Sequence, residues 1–272
     1  MRRRIRVGAV NYLNTKPLVE GLTELAPTID LSFDLPSRLA DQLAAGELDV
    51  GLIPIIEYFR AGTYSVVPDV SIASRGPVLS VTLFSRVPWA EIQTIALDAG
   101  SRTSAALAQI LLRKRYGVHP RIENLPIDIP AEDVSADAVL LIGDRAMRAC
   151  LPGFAFAYDL GQEWADWTGL PFVYAVWAVR EGVHLGEAEG AFAKAKRLGL
   201  ARAGAIAARE APALGLDSGY CRRYLSNIIH YDLGPGELAG LDRYYTLAAE
   251  LGLAPPGVSL VRYHRPHLVE SH

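Results

Sequence analysis

Hydrophobic and polar positions in the N-terminal part of the chain alternate between strand and helix patterns. Apolar runs over Ile5–Val10, residues 29–35 and residues 48–54 are typical of strands, and the last run ends at a proline. Between them, residues 17–25 begin with a proline and keep helical spacing, and Ser37 is expected to cap the next helix. This order predicts a parallel sheet covered by helices, whose ligands bind beyond the carboxyl ends of the strands.

The pattern repeats in the middle of the chain and then becomes helical. Residues 94–117 and residues 136–150 each predict a strand, a tight turn and a helix. A long apolar run over residues 78–88 precedes them, and a second over residues 172–181 follows them. From residue 187 onward, alanine-rich segments predict helices through most of the C-terminal third.

The two long apolar runs predict strands that cross between two lobes. The middle α/β unit lies between them in sequence, and the C-terminal helices are expected to complete the first unit. This predicts lobe I from residues 1–84 and 178–272, and lobe II from residues 85–177. Two lobes joined in this way are typical of a hinged α/β fold whose ligand lies in the cleft between them.

Composition and charge favour a small molecule as the partner. The chain has 272 residues, of which 50% are hydrophobic and 21% charged, and its formal net charge is -3. Its Lys and Arg residues are scattered, so no nucleic-acid partner is expected. No apolar run approaches the roughly 20 residues that span a bilayer, and no cleavage site follows the basic start, so we expect a cytoplasmic protein without a membrane partner.

The cysteines and histidines give no sign of a metal site. Cys150 and Cys221 lie far apart, without a CxxC pattern or a histidine at ligand spacing, so two reduced thiols are expected. The six histidines fall mostly in predicted loops or near the C-terminus, where surface positions are more typical than catalytic ones.

A turn rich in hydroxyls is the strongest candidate for anion binding. Gly100 precedes a predicted helix whose first residues include Ser101, Thr103 and Ser104. The free backbone N–H groups of that first turn, together with the hydroxyls, would suit a carboxylate or a phosphate. The alternative is a plain helix cap, since serine and threonine are the usual capping residues.

Two further residues occupy positions that a cleft would reach. Gly143 follows an apolar strand and would let a ligand approach the backbone; the alternative is a simple turn in which Asp144 caps the next helix. Ser80 lies inside the first crossing strand, where its hydroxyl is either a satisfied core group or a donor to the cleft. No GxSxG pattern or nearby histidine indicates a serine hydrolase.

An aromatic cluster precedes and enters the second crossing strand. It consists of Trp164, Trp167, Tyr174 and Trp177. Core or interlobe packing is its expected role, and the alternative is an apolar wall for a ring-shaped ligand.

Several stretches taken together resemble one enzyme family. They are GAVNYLNTKPL, LPSRLADQLAAGELDVGLIPIIEY, GSRTSAALAQILL, LIGDRA and WADWTGLPFVYAVWA, in that order along the chain. From about residue 5 to residue 250, the chain resembles the chorismate dehydratases of the futalosine route to menaquinone. The related dihydroxynaphthoate synthases open with a Cys-Pro-Asn-Asp type of motif and carry a later functional histidine, and this sequence shows neither.

The resemblance implies both a fold and a reaction. The family has the two-lobed type 2 periplasmic-binding-protein fold, an α/β fold in which a hinged cleft holds the substrate. Its reaction is the loss of water from chorismate to give 3-[(1-carboxyvinyl)oxy]benzoate, the first step of the futalosine route, with no cofactor and no metal. The alanine-rich C-terminal helices would also be suited to pairing in a homodimer.

The resemblance also implies roles for six residues. Asn14 and Ser80 match family residues associated with the active site, and they are expected to face each other across the cleft as catalytic residues. The expected substrate-binding residues are Ser101, Thr103, Ser104 and Gly143. None of the motifs offers a general base with a pKa near neutrality, so the hypothesis is that the enolpyruvyl carboxylate of the substrate removes the ring proton.

A second function belongs to a different class. A non-catalytic cytoplasmic binding protein for a small aromatic or dicarboxylate ligand would use the same hinged fold. The sequence shows no signal peptide and no lipobox cysteine near its start, which is unfavourable to this alternative. Recovery of an unchanged, tightly bound ligand would favour binding over catalysis.

Overall fold

A computed structural model describes residues 4–98, 100–126 and 129–264, and its strands form two sheets. The strands are β1 Ile5–Val10, β2 Ile29–Asp34, β3 Val50–Pro54, β4 Ser65–Ser74, β5 Val81–Ser85, β6 Thr94–Asp98, β7 Arg121–Leu125, β8 Ala138–Ile142, β9 Phe156–Asp159, β10 Phe172–Val179 and β11 Ile229–His230. The helices are α1 Lys16–Val19, α2 Leu22–Leu25, α3 Pro36–Ala44, α4 Ile55–Ala61, α5 Arg102–Ile110, α6 Gly143–Arg148, α7 Leu160–Thr168, α8 Ala191–Ala201, α9 Ala203–Leu214, α10 Ser218–Arg223 and α11 Pro235–Glu250. The π-helical turns Leu111–Arg115 and Tyr224–Ile228 continue α5 and α10.

The first sheet contains strands from distant parts of the chain, in the order β11-β4-β10-β3-β1-β2. β1 pairs in parallel with β2 and β3, whereas β10 lies antiparallel between β3 and β4. All residues of β3 are buried, as expected for an apolar strand that is covered on both faces. The carboxyl ends of β1 and β3 therefore meet at one edge of this sheet.

The second sheet is built from a continuous middle segment, in the order β7-β6-β8-β5-β9. β6 pairs in parallel with β7 and β8, and β5 lies antiparallel between β8 and β9. The chain passes to this sheet between β4 and β5 and returns between β9 and β10. The lobe boundaries are predicted at residues 85 and 178. The structure places both passages earlier in the chain, because β5 already pairs in the second sheet and β10 already pairs in the first. The division into lobes itself stays a prediction.

Local structure agrees with the sequence at some elements and departs from it at others. The predicted strand at Ile5–Val10 is confirmed. The single helix predicted over residues 17–25 is wrong, because Gly21 adopts a left-handed φ of 67° and separates α1 from α2. The predicted cap at Ser37 is also wrong. α3 begins at Pro36, whose fixed φ and missing N–H suit a first helical turn, and no side chain caps it.

The described residues contain neither a membrane-spanning helix nor a metal-binding cluster, and their two cysteines are unpaired. No helix among them is both long and apolar enough to cross a membrane. They contain no cluster of three or more His, Cys, Asp or Glu side chains that could hold a metal ion. Cys150 is exposed, Cys221 is buried, and both are free thiols.

Candidate active site

A cavity lies between the two sheets. Val10, Pro54 and Ala175 line it from strands of the first sheet. Val81 and Ile142 line it from strands of the second. The cavity is therefore built from both halves of the molecule.

All six residues that the sequence predicts for the site line this cavity. They are Asn14, Ser80, Ser101, Thr103, Ser104 and Gly143. Asn14 follows β1, Ser101 follows β6 and Gly143 follows β8, which are the carboxyl ends of parallel-paired strands. The structure brings these residues together, and their roles stay predictions.

Asn14 is held in a short 3₁₀ turn, Leu13–Thr15, that closely follows β1. Thr15 Oγ1 donates a hydrogen bond to Asn14 Oδ1 at 3.4 Å. The other asparagine of this stretch, Asn11, is exposed and accepts a hydrogen bond from Lys16 Nζ at 2.7 Å. The two amides are therefore used differently, since Asn14 lines the cavity and Asn11 lies at the surface.

Ser80 lies just before β5, in the segment that crosses between the sheets, and not inside a strand as predicted. The Asp159 carboxylate holds this segment by accepting hydrogen bonds from the N–H groups of Val78, at 3.0 Å, and Leu79, at 2.7 Å. It also caps α7 through two further backbone N–H groups. Leu79 has a φ of 62°, which is unusual for a residue with a side chain. These charge-assisted hydrogen bonds therefore maintain the strained turn that places Ser80.

The first turn of α5 meets the cavity through Ser101, Thr103 and Ser104, all of which are buried. Ser101 occupies the N-cap position, but its side chain makes no capping hydrogen bond. Thr103 Oγ1 accepts a hydrogen bond from the N–H of Ile56, at 3.3 Å, which links α5 to α4. The first N–H groups of an α-helix have no partner within the helix, so this end combines backbone donors with buried hydroxyls.

Gly143 is required by two features of its position. Its φ is 57°, and a Cβ placed there would lie 2.9 Å from the ring of Tyr12. Its N–H donates to the carbonyl oxygen of Ser80 at 2.8 Å, which ties the start of α6 to the crossing segment. Asp144 does not cap α6. Its Oδ1 instead accepts a hydrogen bond from the N–H of Leu13, at 3.1 Å, which links the two sides of the cavity.

The lining of the cavity is mostly apolar, and its polar groups carry no formal charge. Among the described residues that line it, none is an aspartate, glutamate, histidine, lysine or arginine. Tyr12 and Tyr174 also line it, and burial raises the pKa of both hydroxyls, so both stay protonated at neutral pH. A carboxylate in this cavity would therefore meet hydroxyl, amide and backbone N–H donors rather than a cationic side chain.

One buried carboxylate, Asp98, and one half-buried carboxylate, Asp144, act on the site without lining it. Burial raises the pKa of Asp98, although a hydrogen bond from the N–H of Gly100, at 2.8 Å, opposes the shift. Burial likewise raises the pKa of Asp144. After burial itself, these two negative charges are the next causes of the raised pKa of Tyr12. They favour the protonated form of that tyrosine.

Tyr12 and Tyr174 were not predicted as site residues, although each lies in a stretch that the sequence singles out. Tyr12 stands two positions before Asn14, so it was within the asparagine motif itself. The hydroxyl of Tyr174 lies 3.1 Å from Ser74 Oγ, and its ring belongs to the cavity wall. Trp164 and Trp177 are instead fully buried in the core. The aromatic cluster therefore contributes both to the core and to the cavity wall, and contact of that wall with a ring-shaped ligand stays a prediction.

No local sequence pattern identifies Tyr224 as a site residue. It is buried, and its hydroxyl donates a hydrogen bond to Ser80 Oγ at 2.8 Å, across 144 positions of the chain. On the sequence it is one aromatic residue in an apolar helical pattern, which predicts core packing.

Sequence comparisons connect the chain to one family. A family described as menaquinone biosynthesis matches residues 5–250. A chorismate dehydratase of Thermus thermophilus is 34% identical over 271 residues, which cover 91% of this chain and 95% of that protein. A chorismate dehydratase of Campylobacter jejuni is 25% identical over 254 residues, which cover 91% of this chain and 99% of that protein.

Solved structures share the fold. A protein from Archaeoglobus fulgidus has a TM-score of 0.73 and 19% identity, over 92% of this chain and 98% of that one. The periplasmic aliphatic sulphonate binding protein of Escherichia coli has a TM-score of 0.65 and 17% identity, over 98% of this chain and 96% of that one. At these identities the likeness concerns the fold alone, and it confirms the predicted periplasmic-binding-protein-like α/β fold.

Proposed function

The chain belongs to the menaquinone biosynthesis family, and we propose that it dehydrates chorismate to 3-[(1-carboxyvinyl)oxy]benzoate. The single observation that supports this most directly is the uncharged, hydrogen-bonding cavity in which Asn14, Ser80 and the start of α5 meet. The enzyme would be a carbon–oxygen lyase. The alternative, a binding protein that leaves its ligand unchanged, is not favoured, since the relatives that match most of the chain are named as dehydratases.

The first turn of α5 is the proposed binding site for one carboxylate of chorismate. Its backbone N–H groups carry partial positive charge and have no partner within the helix. Thr103 and Ser104 add hydroxyls beside them, and both residues line the cavity. Hydrogen bonds from an uncharged site can hold an anion without the desolvation cost of a buried ion pair.

Asn14 and Ser80 are the proposed catalytic residues. The reaction breaks a ring C–H bond and the C–O bond of the neighbouring carbon, and the electron pair of the C–O bond leaves with the hydroxyl oxygen. An amide and a hydroxyl can stabilise that departing oxygen by donating hydrogen bonds to it. Formation of the aromatic ring supplies the driving force.

The ring proton is proposed to move to the enolpyruvyl carboxylate of the substrate itself. This agrees with the lining, since the described residues on the cavity wall include no carboxylate and no imidazole that could act as a base. The proton and the departing hydroxide together make up the water that is lost. The protein's part is to orient the carboxylate beside the ring proton and to exclude solvent.

Location and assembly follow the same proposal. The sequence predicts a cytoplasmic enzyme that needs no cofactor, and a homodimer formed through the C-terminal helices stays a prediction. Chorismate would be the only small molecule that the purified protein needs for turnover.

The test is to incubate the purified protein with chorismate and to follow the products by liquid chromatography and mass spectrometry. We expect a product lighter by one water, formed only in the presence of protein. Asn14→Ala should abolish most of it, and Asn11→Ala, which changes an exposed amide three positions earlier, should not. Chorismate that decays only as fast as in the protein-free sample would contradict the proposed function.

A further inference from the structure

Tyr224 is a buried residue with a specific polar contact in the cavity wall. Only 1% of its surface is exposed, and it begins the π-helical turn Tyr224–Ile228. Its hydroxyl donates to Ser80 Oγ at 2.8 Å. A buried tyrosine hydroxyl normally has a partner, and here the partner is a proposed catalytic residue 144 positions away in the chain.

The direction of this hydrogen bond determines what Ser80 can do. A serine hydroxyl has one proton, and since Ser80 Oγ accepts from Tyr224, that proton is available for another acceptor. Within the described part of the chain its acceptor is the carbonyl oxygen of Val78, at 3.4 Å, which is long for a hydroxyl donor. The proton of Ser80 is therefore weakly engaged and can turn towards the cavity.

The environment of Tyr224 keeps its hydroxyl protonated. Burial raises the pKa of this hydroxyl, so it carries its proton at neutral pH. The protonated hydroxyl of Tyr224 can therefore donate to Ser80 Oγ, 2.8 Å away, although the two residues are far apart in sequence.

We propose that Tyr224 is a positioning residue for the dehydration, because its hydroxyl commits Ser80 to donate its proton towards the departing hydroxyl of the substrate. This inference rests on the proposed function. Tyr224 itself transfers no proton and touches no substrate atom, since it lies behind Ser80. It adds no chemical step, and its only effect is to fix the direction in which the Ser80 hydroxyl donates.

The test is a double-mutant cycle between Tyr224→Phe and Ser80→Ala, measured as kcat and KM for chorismate. We expect Tyr224→Phe to lower kcat about tenfold and to leave KM within about twofold, because the ring and its packing remain. When Ser80 is already alanine, Tyr224→Phe should change kcat by less than about twofold, since the group it acts through is gone. A role in stability alone would lower the temperature of unfolding without this non-additivity.

Tyr231→Phe is the matched control. Tyr231 is also a buried tyrosine, and its hydroxyl has no hydrogen-bond partner among the described residues. Its kcat should equal that of the wild-type protein. If Tyr224→Phe unfolds, the double variant removes both partners of the bond and leaves neither unpaired, so its comparison with Ser80→Ala still decides the question.

The outcomes separate the two proposals. A wild-type protein that converts no chorismate overturns the proposed function and this inference with it. An active wild-type protein whose kcat is unchanged by Tyr224→Phe overturns the inference alone. The inference alone is also overturned if the fall in kcat of the double variant equals the product of the falls caused by Tyr224→Phe and by Ser80→Ala.

Discussion

The two sides of the cavity are held in place by different kinds of contact. On the side formed by α5, Arg102 reaches out of the second sheet to pair with Asp41 at 2.9 Å and with Glu57 at 3.1 Å, both on helices beside the first sheet. On the side formed by Ser80, the Asp159 carboxylate holds the backbone, whereas the Ser80 side chain itself is held by a neutral hydrogen bond from Tyr224 at 2.8 Å. Charges thus hold the outside of the site, and neutral groups shape its lining.

With this arrangement the site can bind an anion without a cationic side chain in its lining. A buried positive charge would need its own partner, and that partner would repel the carboxylates of the substrate. Arg102 has two acidic partners of its own and does not line the cavity. The comparison predicts that changes to the neutral side will affect turnover, whereas changes to the charged side will affect binding and stability.

The strongest test of the neutral side is Asn14→Ala. Loss of one hydrogen-bond donor to a developing charge typically costs about 10²–10³ in kcat, and that fall is expected here. Steady-state kinetics with chorismate would measure it, and Asn11→Ala should keep its kcat within about twofold. Similar losses in both variants would show that the cavity-facing amide has no special role.

The next effect in size is expected from Gly143→Ala. The left-handed φ should cost about 1–2 kcal/mol of unfolding free energy, and the Tyr12 ring, 2.9 Å from the new Cβ, should add to it. Movement of that ring should also lower kcat/KM about tenfold. Urea unfolding and kinetics would measure the two effects.

Gly46→Ala is the control for this variant, since Gly46 has a φ of 74° and nothing lies within 4 Å of its added Cβ. It should show the conformational cost alone, with normal kinetics. Equal behaviour of the two variants would mean that the contact between Gly143 and Tyr12 does not matter.

A smaller effect is expected on the charged side from Arg102→Gln. Its ion pairs join helices of the two sheets, so their loss should raise KM by about threefold and cost about 1 kcal/mol of unfolding free energy. Screening by salt should shrink the difference from wild type. Arg38→Gln is the control. Arg38 forms an ion pair at 3.6 Å with Asp34, four positions earlier in the chain, and loss of this local pair should leave KM unchanged. A fall in kcat without a change in KM would contradict the expectation that the charged side affects binding rather than turnover.

The smallest effect is expected from pH. Burial raises the pKa of Tyr12, Tyr174 and Tyr224 above the ordinary value near 10, so their neutral forms persist to alkaline pH. kcat should therefore be flat from about pH 6 to about pH 9. If Asp98 acted as the base, its raised pKa would make kcat fall as the pH drops through that pKa and the carboxylate is protonated. A pH profile of kcat distinguishes these results.

Local sequence predicted the fold where a single rule applied. Ile5–Val10 is apolar throughout and forms the predicted strand. Ser37 failed as a cap because Pro36 already satisfies the first helical turn, which the capping preference does not weigh. β4 was not predicted, since Pro68 and Asp69 interrupt its apolar pattern and the strand depends on pairing with β10. Long-range pairing of this kind leaves little trace in local composition.

The site was predictable where it lies in compact motifs. Asn14 and Gly143 stand in short stretches that resemble the family, and the structure places them in one cavity. Tyr224 could not be found in this way, because its contact with Ser80 spans 144 positions and its neighbours form an ordinary helical pattern. A hydrogen bond between distant elements is a property of the folded chain, and local sequence carries no sign of it.

The position of β10 between β3 and β4 has a consequence for how the protein is made on the ribosome. β3 and β4 cannot complete the first sheet while β10 is still unsynthesised, so a gap stays open in it. The second sheet uses only contiguous chain and can form earlier. The chain that forms the second sheet is therefore complete on the ribosome before the chain that forms the first, although the first sheet contains the N-terminal strands.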